Sequence, residues 1–265
     1  MSNVDRSARV NPVNDLAARG AMTTDLARPA VALAIGAHPD DIEFGCGATL
    51  AKWASQGTAI FHLVLSDGSK GSWDPDYDRG ALVALRQAEQ RRAATLLGGG
   101  EVEFCDWVDG ELRNSPQAQE RVARSIRTIR PDVVLGHDPW RRYRLHPDHR
   151  HAGFITTDAI VAARDPHFFA NQGLAPHRPS ALLLWEADEP NHVEDVVGFA
   201  DTKIAALLAH ESQHQSTMGI DATGAEGASV QAADAFAQGV KDQLSAHGAL
   251  AGITQGESFH LITET

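Results

Sequence analysis

The sequence predicts an α/β protein with a Rossmann-like, three-layer fold and a mostly parallel sheet. Short apolar runs alternate along the chain with segments of helical periodicity, and Gly or Pro residues separate the two. The runs are continuously apolar rather than alternating, which is typical of strands covered on both faces of a parallel sheet. Strand–helix alternation of this kind favours a doubly wound sheet with helices on both faces.

The first half of the chain contains the clearest alternation. Residues 30–36 predict the first strand, and after an HPDD corner a helix begins near residue 43 and ends near Gly57. Residues 58–65 predict the second strand, and a polar loop leads to a helix over residues 81–97. Residues 102–107 predict the third strand, Ser115 and Pro116 begin a helix that Pro131 ends, and residues 132–138 predict the fourth strand.

The second half is less regular. Residues 181–188 predict a fifth strand and residues 203–210 a helix, whereas residues 217–230 are rich in Gly, Ala and Ser and predict a surface loop over the site. A helix over residues 231–247 and a short strand, ESFHLI, follow. Residues 1–28 have no apolar run of the kind a signal peptide requires and are expected to form a flexible tail, with residues 29–265 forming a single domain.

Composition narrows the classes of partner. A formal net charge of -12 opposes binding to nucleic acid or to an anionic membrane, so a small-molecule partner is expected. The two cysteines cannot build a framework of disulfides, which is consistent with a reducing, cytoplasmic location. The oligomeric state is not fixed by the sequence, and a homo-oligomer is compatible with it.

Two His-rich segments follow predicted core strands: GAHPDD after the first and LHPDHRH after the fourth. Strands one and four commonly lie side by side where a doubly wound sheet reverses, and ligands bind beyond their carboxyl ends. We therefore expect His38, Asp41 and His149 to meet there as neutral imidazole and carboxylate ligands of a metal ion, with one position open for water.

Three further residues are candidates for the chemistry. Asp40 could take a proton from an activated water as the general base. His146 could stabilise the oxyanion and protonate a leaving amine, and Asp148 could hold or charge that imidazole. Taken separately, HPDD could be a helix cap and HPDH a solvated charged turn. Their placement after two core strands favours the catalytic interpretation.

These motifs resemble those of the LmbE or PIG-L family of zinc-dependent deacetylases, which carry an AHPDD segment after the first strand and HPDH after the fourth. SDGSKG, LLGGGEVEF, DGEL and HESQ extend the resemblance over about residues 30–215. It implies that His38, Asp41 and His149 bind zinc, that Asp40 is the base and that His146 is the charged partner of the oxyanion. Many members have Glu directly after the two aspartates, whereas this chain has Ile42 and Glu43, so Glu43 has no assigned role.

The resemblance also suggests three substrate contacts, each with an alternative. Arg86 could contact a sugar hydroxyl or form an ion pair with Glu89 on its own helix. Tyr143 could assist catalysis or be a packed loop aromatic, and His210 could reach the pocket or lie on an ordinary helix face. Ser69 and Lys70 have no assigned role.

The reaction that these features imply is hydrolysis of an N-acyl amide, with acetyl on a glucosamine-like sugar as the leading substrate. Thiol-conjugate and antibiotic amides are alternatives on the same fold. Two His and one Asp also form the metal triad of non-haem iron oxygenases, but the strand–helix alternation opposes that class. A nucleotide-binding module is disfavoured because no G-x-G-x-x-G follows the first strand. Iron could replace zinc in the cell, because such ligands discriminate weakly.

Overall fold

The computed structural model describes residues 22–220 and 228–265. In this part of the chain eight strands form one sheet in the order β1-β7-β8-β6-β5-β2-β3-β4. The strands are β1 (Thr23–Thr24), β2 (Val31–Gly36), β3 (Ala59–Ser66), β4 (Glu101–Trp107), β5 (Val133–His137), β6 (Ala181–Trp185), β7 (His192–Asp195) and β8 (Gly256–Ile262). All neighbouring pairs are parallel except those that β8 makes with β6 and β7. The prediction of a mostly parallel α/β sheet is therefore confirmed.

Helices cover both faces of the sheet. The strands at the centre of the sheet carry apolar side chains on both faces, and each face is buried under helices. The helices are α1 (Asp41–Ser55), α2 (Arg79–Leu96), α3 (Pro116–Ile129), α4 (Pro147–Arg164), α5 (Ala200–Leu208) and α6 (Ala228–Ala249). One apolar cluster joins α1, α2 and α5 to the sheet, and a second joins α3 and α4 to the opposite face. A third cluster packs α6 onto α5.

The adjacency on which the predicted site depends is present. Strands β2 and β5 pair in parallel, with Ala32 opposite Val133 and Ile35 opposite Gly136. Their carboxyl ends consequently open at the same edge of the sheet. The HPDD corner follows β2 there, and the HPDH segment follows β5 after an eight-residue loop, residues 138–145.

Several predicted boundaries differ from the structure. HPDH is not a loop but begins α4, with His146 as the N-cap and Pro147 at the first helical position. Strand β6 ends at Trp185 rather than residue 188, and α6 begins at Ala228 rather than residue 231. Residues 1–21 of the predicted tail and 221–227 of the predicted loop lie outside the described residues. Within residues 22–28 the chain is not a tail, because β1 pairs with β7.

The buried carboxylate of Glu257 ties strand β8 to helix α1 by hydrogen bonds and to helix α5 by an ion pair. Helix α1 is kinked at Cys46, whose φ is -149°. The carboxylate of Glu257 on β8 accepts from the N–H groups of Ala48 and Thr49 beyond the kink, at 3.1 and 2.7 Å. It also accepts from Lys203 Nζ of α5 at 2.6 Å. The last strand thus completes the hydrogen bonding of the helix that begins with the HPDD corner.

In the described parts of the chain, no helix has the length and apolar character needed to cross a membrane.

Candidate metal centre and active site

A cavity of about 510 Å³ opens at the carboxyl edge of the sheet. Its wall is built from the ends of several parallel strands and from the helices that follow them. The polar, charged and aromatic residues that line it include His38, Asp40, Asp41, Lys70, Arg86, Asp109, His137, Arg144, His146, His149, Trp185 and Glu186. This is the position at which doubly wound sheets bind ligands.

Three side chains predicted as metal ligands meet in this cavity. His38 Nδ1 lies 3.2 Å from His149 Nε2 and 3.2 Å from Asp41 Oδ2. His149 Nε2 lies 3.3 Å from Asp41 Oδ1. Four ligands arranged tetrahedrally around zinc at about 2.0–2.1 Å would be separated by roughly 3.3 Å. The distance between each pair of side chains is therefore of the size expected around a small tetrahedral ion, with Asp41 facing His38 through Oδ2 and His149 through Oδ1.

Two carboxylates orient the His38 ring from its other side. His38 Nε2 lies 3.2 Å from Asp109 Oδ1 and 3.3 Å from Asp148 Oδ2. A carboxylate at one ring nitrogen holds the proton there and leaves the other nitrogen free as a ligand. The Gly110 N–H in turn donates to Asp148 Oδ2 at 2.7 Å. Asp148 was predicted to hold His146; the structure places its carboxylate against His38 instead, because Asp148 lies in the first turn of α4, facing β2.

The charges around the cluster suit a cation. Burial would raise the pKa of Asp41, but the histidines around it, which include hydrogen-bond partners in His137 and His38, hold that pKa well below its usual range. Burial alone would lower the pKa of His38, whereas the hydrogen bonds with Asp109 and Asp148 raise it well above the usual value. The surroundings thus favour positive charge at this point. Burial lowers the pKa of His149 to about 3, so its imidazole is neutral, as a metal ligand must be.

Asp40 lies beside the three candidate ligands in an unusual backbone conformation. Its φ is 102°, a region that non-glycine residues rarely adopt. The Asp40 N–H donates to Gln90 Oε1 at 2.9 Å, and Gln90 Nε2 donates to Glu43 Oε1 at 2.7 Å. Burial raises the pKa of the Asp40 carboxyl to about 6, with Arg86 opposing the shift. A pKa in this range suits a general base that operates near neutral pH.

Arg86 joins the HPDD corner to the SDGSKG loop. Its guanidinium donates to Pro39 O at 2.6 Å and to Gly68 O at 2.9 Å, and Nη2 lies 3.4 Å from Asp40 Oδ2. A Cβ at Gly71 would lie 2.3 Å from the guanidinium, so only glycine allows this approach. The predicted alternative, an ion pair with Glu89, is wrong, because Glu89 accepts instead from Ser212.

His146 stands at the mouth of the cavity as the N-cap of α4. Its ring centroid lies 4.7 Å from that of His38 and 4.8 Å from that of His149. His146 Nδ1 accepts from the Asp148 N–H at 3.3 Å. In a neutral ring the proton is then on Nε2, where it can be donated to a substrate atom.

The other two predicted substrate contacts are not in the wall of the cavity. Tyr143 is 92% exposed, on the loop before α4. His210 is fully buried behind the site, with Nε2 3.4 Å from Glu43 Oε2. Among the described residues, the wall instead includes Lys70, which also pairs with Glu111, and Arg144, which contacts His149 and pairs with Glu186. Tyr143 and His210 thus do not occupy the predicted positions.

Several residues of the site had no assigned role in the sequence. Asp109 follows β4, and His137 is the last residue of β5. Both positions lie at the carboxyl edge, as the motifs do, and this was the signal that could have identified them. Gln90 on α2 had no such signal, since a polar residue on a helix is ordinarily solvated.

The fold and this cluster define an α/β protein with a two-His, one-Asp group able to hold a metal ion and a buried carboxylate beside it. The PIG-L family model, described as GlcNAc-PI de-N-acetylase, matches residues 33–160. The chain is 36% identical over 184 residues to the diacetylchitobiose deacetylase of Thermococcus kodakarensis, covering 68% of this chain and 69% of that one. The chain therefore belongs to the PIG-L family.

Structural comparison agrees with this assignment. The N,N'-diacetylchitobiose deacetylase of Pyrococcus horikoshii superposes with a TM-score of 0.78 and 26% identity, covering 89% of this chain and 84% of that one. The chain is also 26% identical over 193 residues to a protein named for a different reaction, the 4-oxalmesaconate hydratase of Pseudomonas putida, covering 69% of this chain and 73% of that one.

Proposed function

We propose that this protein is a zinc-dependent hydrolase that removes an acyl group, acetyl in the leading case, from the nitrogen of an amino sugar or a related small conjugate. The observation that carries the proposal is the group of His38, Asp41 and His149, whose facing ligand atoms lie 3.2–3.3 Å apart in each pair, with Asp40 in the wall of the same cavity. Similarity to deacetylases supports the substrate class. We place the reaction in the cytoplasm and within a single domain, which includes residues 22–28 as well as the predicted 29–265 because β1 pairs with β7.

In this proposal His38, Asp41 and His149 hold the metal. When bound, a zinc ion polarises the acyl carbonyl and lowers the pKa of a water from 15.7 to about 7. Asp40 accepts the proton of the attacking water, whose oxygen forms the new bond to the acyl carbon. Arg86 keeps the Asp40 carboxyl in place.

His146 acts on the opposite side of the acyl group. Its Nε2–H stabilises the negative charge that develops on the carbonyl oxygen. The carbon–nitrogen bond then breaks, and the amine leaves with the proton that Asp40 took from the attacking water, so that Asp40 and His146 both end in the state in which they began. The products are the free amine and the carboxylic acid, so atoms and protons balance with water as the only co-reactant.

The test is a panel of N-acetylated sugars, including diacetylchitobiose and glucosaminyl conjugates of inositol, thiols and antibiotics, assayed for amine and acetate with zinc supplied. Asp40→Asn should keep a metal content near one ion per chain while turnover falls about 10²- to 10⁴-fold. Substantial turnover in that variant would sink the assignment of the base. Metal analysis of protein purified without added metal compares zinc with iron.

The same assays separate the alternatives. A hydratase would add water to an unsaturated acid without releasing an amine, and an iron oxygenase would consume oxygen. Acetate release without oxygen uptake supports the hydrolase. Among amides, the ranking of kcat/KM identifies whether a sugar or another conjugate is the better substrate.

A further inference from the structure

His137 lies beside the candidate metal ligands although no motif includes it. It is the last residue of β5 and is 2% exposed. His137 Nε2 lies 3.3 Å from Asp41 Oδ2, and its ring stacks on that of His149 with centroids 4.5 Å apart. By distance alone it could be a fourth ligand, since Asp41, His137 and His149 form a group that could hold a metal ion.

A hydrogen bond from Trp185 decides whether His137 is a metal ligand or a residue that holds one of the ligands in place. The indole Nε1–H of Trp185 donates to His137 Nδ1 at 3.1 Å. Because an indole nitrogen is only a donor, Nδ1 carries no proton, and the proton of the neutral ring is on Nε2. Nε2–H then faces the Asp41 carboxylate as a donor and has no lone pair to offer a metal. Glu186 Oε2, at 3.9 Å from Nδ1, is beyond hydrogen-bond distance.

One contact competes with this assignment. The Ala37 N–H lies 3.4 Å from His137 Nε2, at the outer limit for a hydrogen bond. The same nitrogen cannot accept from Ala37 and donate to Asp41. With Nδ1 already accepting from Trp185, acceptance at Nε2 as well would require an imidazolate. The donor role toward the ionised carboxylate is therefore the consistent one.

The Trp185 ring has little freedom to move away from His137. Trp185 is 1% exposed, and it lies directly opposite His137 where β6 pairs with β5. A Cβ at Gly45 of α1 would lie 2.4–2.6 Å from three atoms of the indole. Helix α1 therefore packs directly against the indole ring, and this contact keeps the ring within hydrogen-bond distance of the His137 imidazole.

We infer that His137 is a positioning residue of the metal centre: Trp185 fixes its tautomer so that Nε2–H holds the Asp41 carboxylate, which excludes His137 from the ligand set. Asp41 Oδ2 also accepts from the His38 N–H at 2.7 Å, so the carboxylate is held by two donors. The consequence is a three-residue ligand set with a position left open for water or substrate. The inference rests on the proposed metal-dependent function.

The test measures the zinc dissociation constant of the full-length chain by competition with a chromophoric chelator. His137→Leu should weaken zinc binding about 10- to 100-fold, as the loss of such a partner does elsewhere. His137→Gln places an amide N–H near the position of Nε2 and should stay within about threefold of wild type, because donation to Asp41 is retained. Equal losses in both variants would identify His137 as a ligand and overturn the inference.

A second variant keeps the test decisive if His137→Leu fails to fold. Trp185→Phe keeps an aromatic side chain, although a smaller one, and removes the indole N–H; it should weaken zinc binding about 3- to 10-fold through the loss of one hydrogen bond. Trp53→Phe and His62→Leu, at fully buried positions outside the cavity wall, are the matched controls and should bind zinc as wild type does. Zinc binding in Trp185→Phe equal to that in Trp53→Phe would refute the role of Trp185.

Failure of the proposed function gives a different result. If wild type binds zinc tightly but releases no amine from any amide, the hydrolase proposal fails while the comparison of dissociation constants still stands. If wild type is an active deacetylase and His137→Leu binds zinc as tightly as wild type, only the inference about His137 fails.

Discussion

The Arg86 guanidinium is the link between the Asp40 carboxyl and two loops, and Arg86→Met tests what that link contributes. The change leaves Asp40 buried without its cation and leaves Pro39 O and Gly68 O without their donor. Removing one partner of a buried ion pair costs about 3–5 kcal/mol. Because Asp40 can take up a proton instead, we expect the lower end, about 3 kcal/mol.

For a domain of this size, about 3 kcal/mol corresponds to a fall in Tm of roughly 6–12 °C. We also expect kcat to fall at least about tenfold, because the base loses its orientation. Arg86→Lys keeps the charge but not the two-pronged geometry and should lie between Arg86→Met and wild type. Arg79→Met, at an exposed position on the same helix, is the control and should change stability by less than about 0.5 kcal/mol. Thermal unfolding and steady-state kinetics with zinc in excess measure both effects; an Arg86→Met protein indistinguishable from Arg79→Met would refute the reasoning.

Three further predictions concern other parts of the molecule. Gly45→Ala forces a Cβ into the Trp185 ring and should cost about 1–3 kcal/mol in urea unfolding; an unchanged midpoint would contradict the close packing. Gln90→Leu removes the acceptor of the base's backbone N–H and should lower kcat at least about tenfold with KM and metal content unchanged; a wild-type kcat would contradict a positioning role. Arg127→Met removes a buried guanidinium that donates to main-chain carbonyls of residues 162, 163, 165 and 168, and should destabilise by about 2–4 kcal/mol, whereas the exposed Arg124→Met should not.

The meeting of the two His-rich motifs was predictable from the sequence. Continuous apolar runs identify buried parallel strands, and the connectivity of a doubly wound sheet then places strands one and four together. The pairing of β2 with β5 confirms that step. No knowledge of side-chain packing was needed, because the argument depends only on the order in which strands and helices alternate.

The partners of individual side chains were less predictable. His137 and Asp109 lie at the correct edge, but which edge residues turn toward the cavity depends on the register and the loop geometry. Arg86 and Glu89 share a helix face at a spacing that favours an ion pair, yet each binds a different loop. Tertiary contacts replaced the local pair in this case.

Helix α4 was missed for a different reason. The segment around HPDH is rich in Arg and His, and this polarity is typical of a loop. Pro147 at the first helical position and the buried positions of Ile155 and Ile160 are the helical signals, but they follow the charged run rather than precede it.

Strand β8 has a consequence for the order of events during synthesis on the ribosome. Every residue of the cavity described above precedes β8 in the chain, yet β6 and β7 pair only through this strand. Until β8 inserts, both edges are open templates for another chain, and Lys203 lacks the carboxylate of Glu257. All residues of the reactive centre are therefore synthesised before the strand that joins β6 to β7, and until then the sheet is in two parts. Protection from self-association in that interval is a requirement that the fold places on the cell.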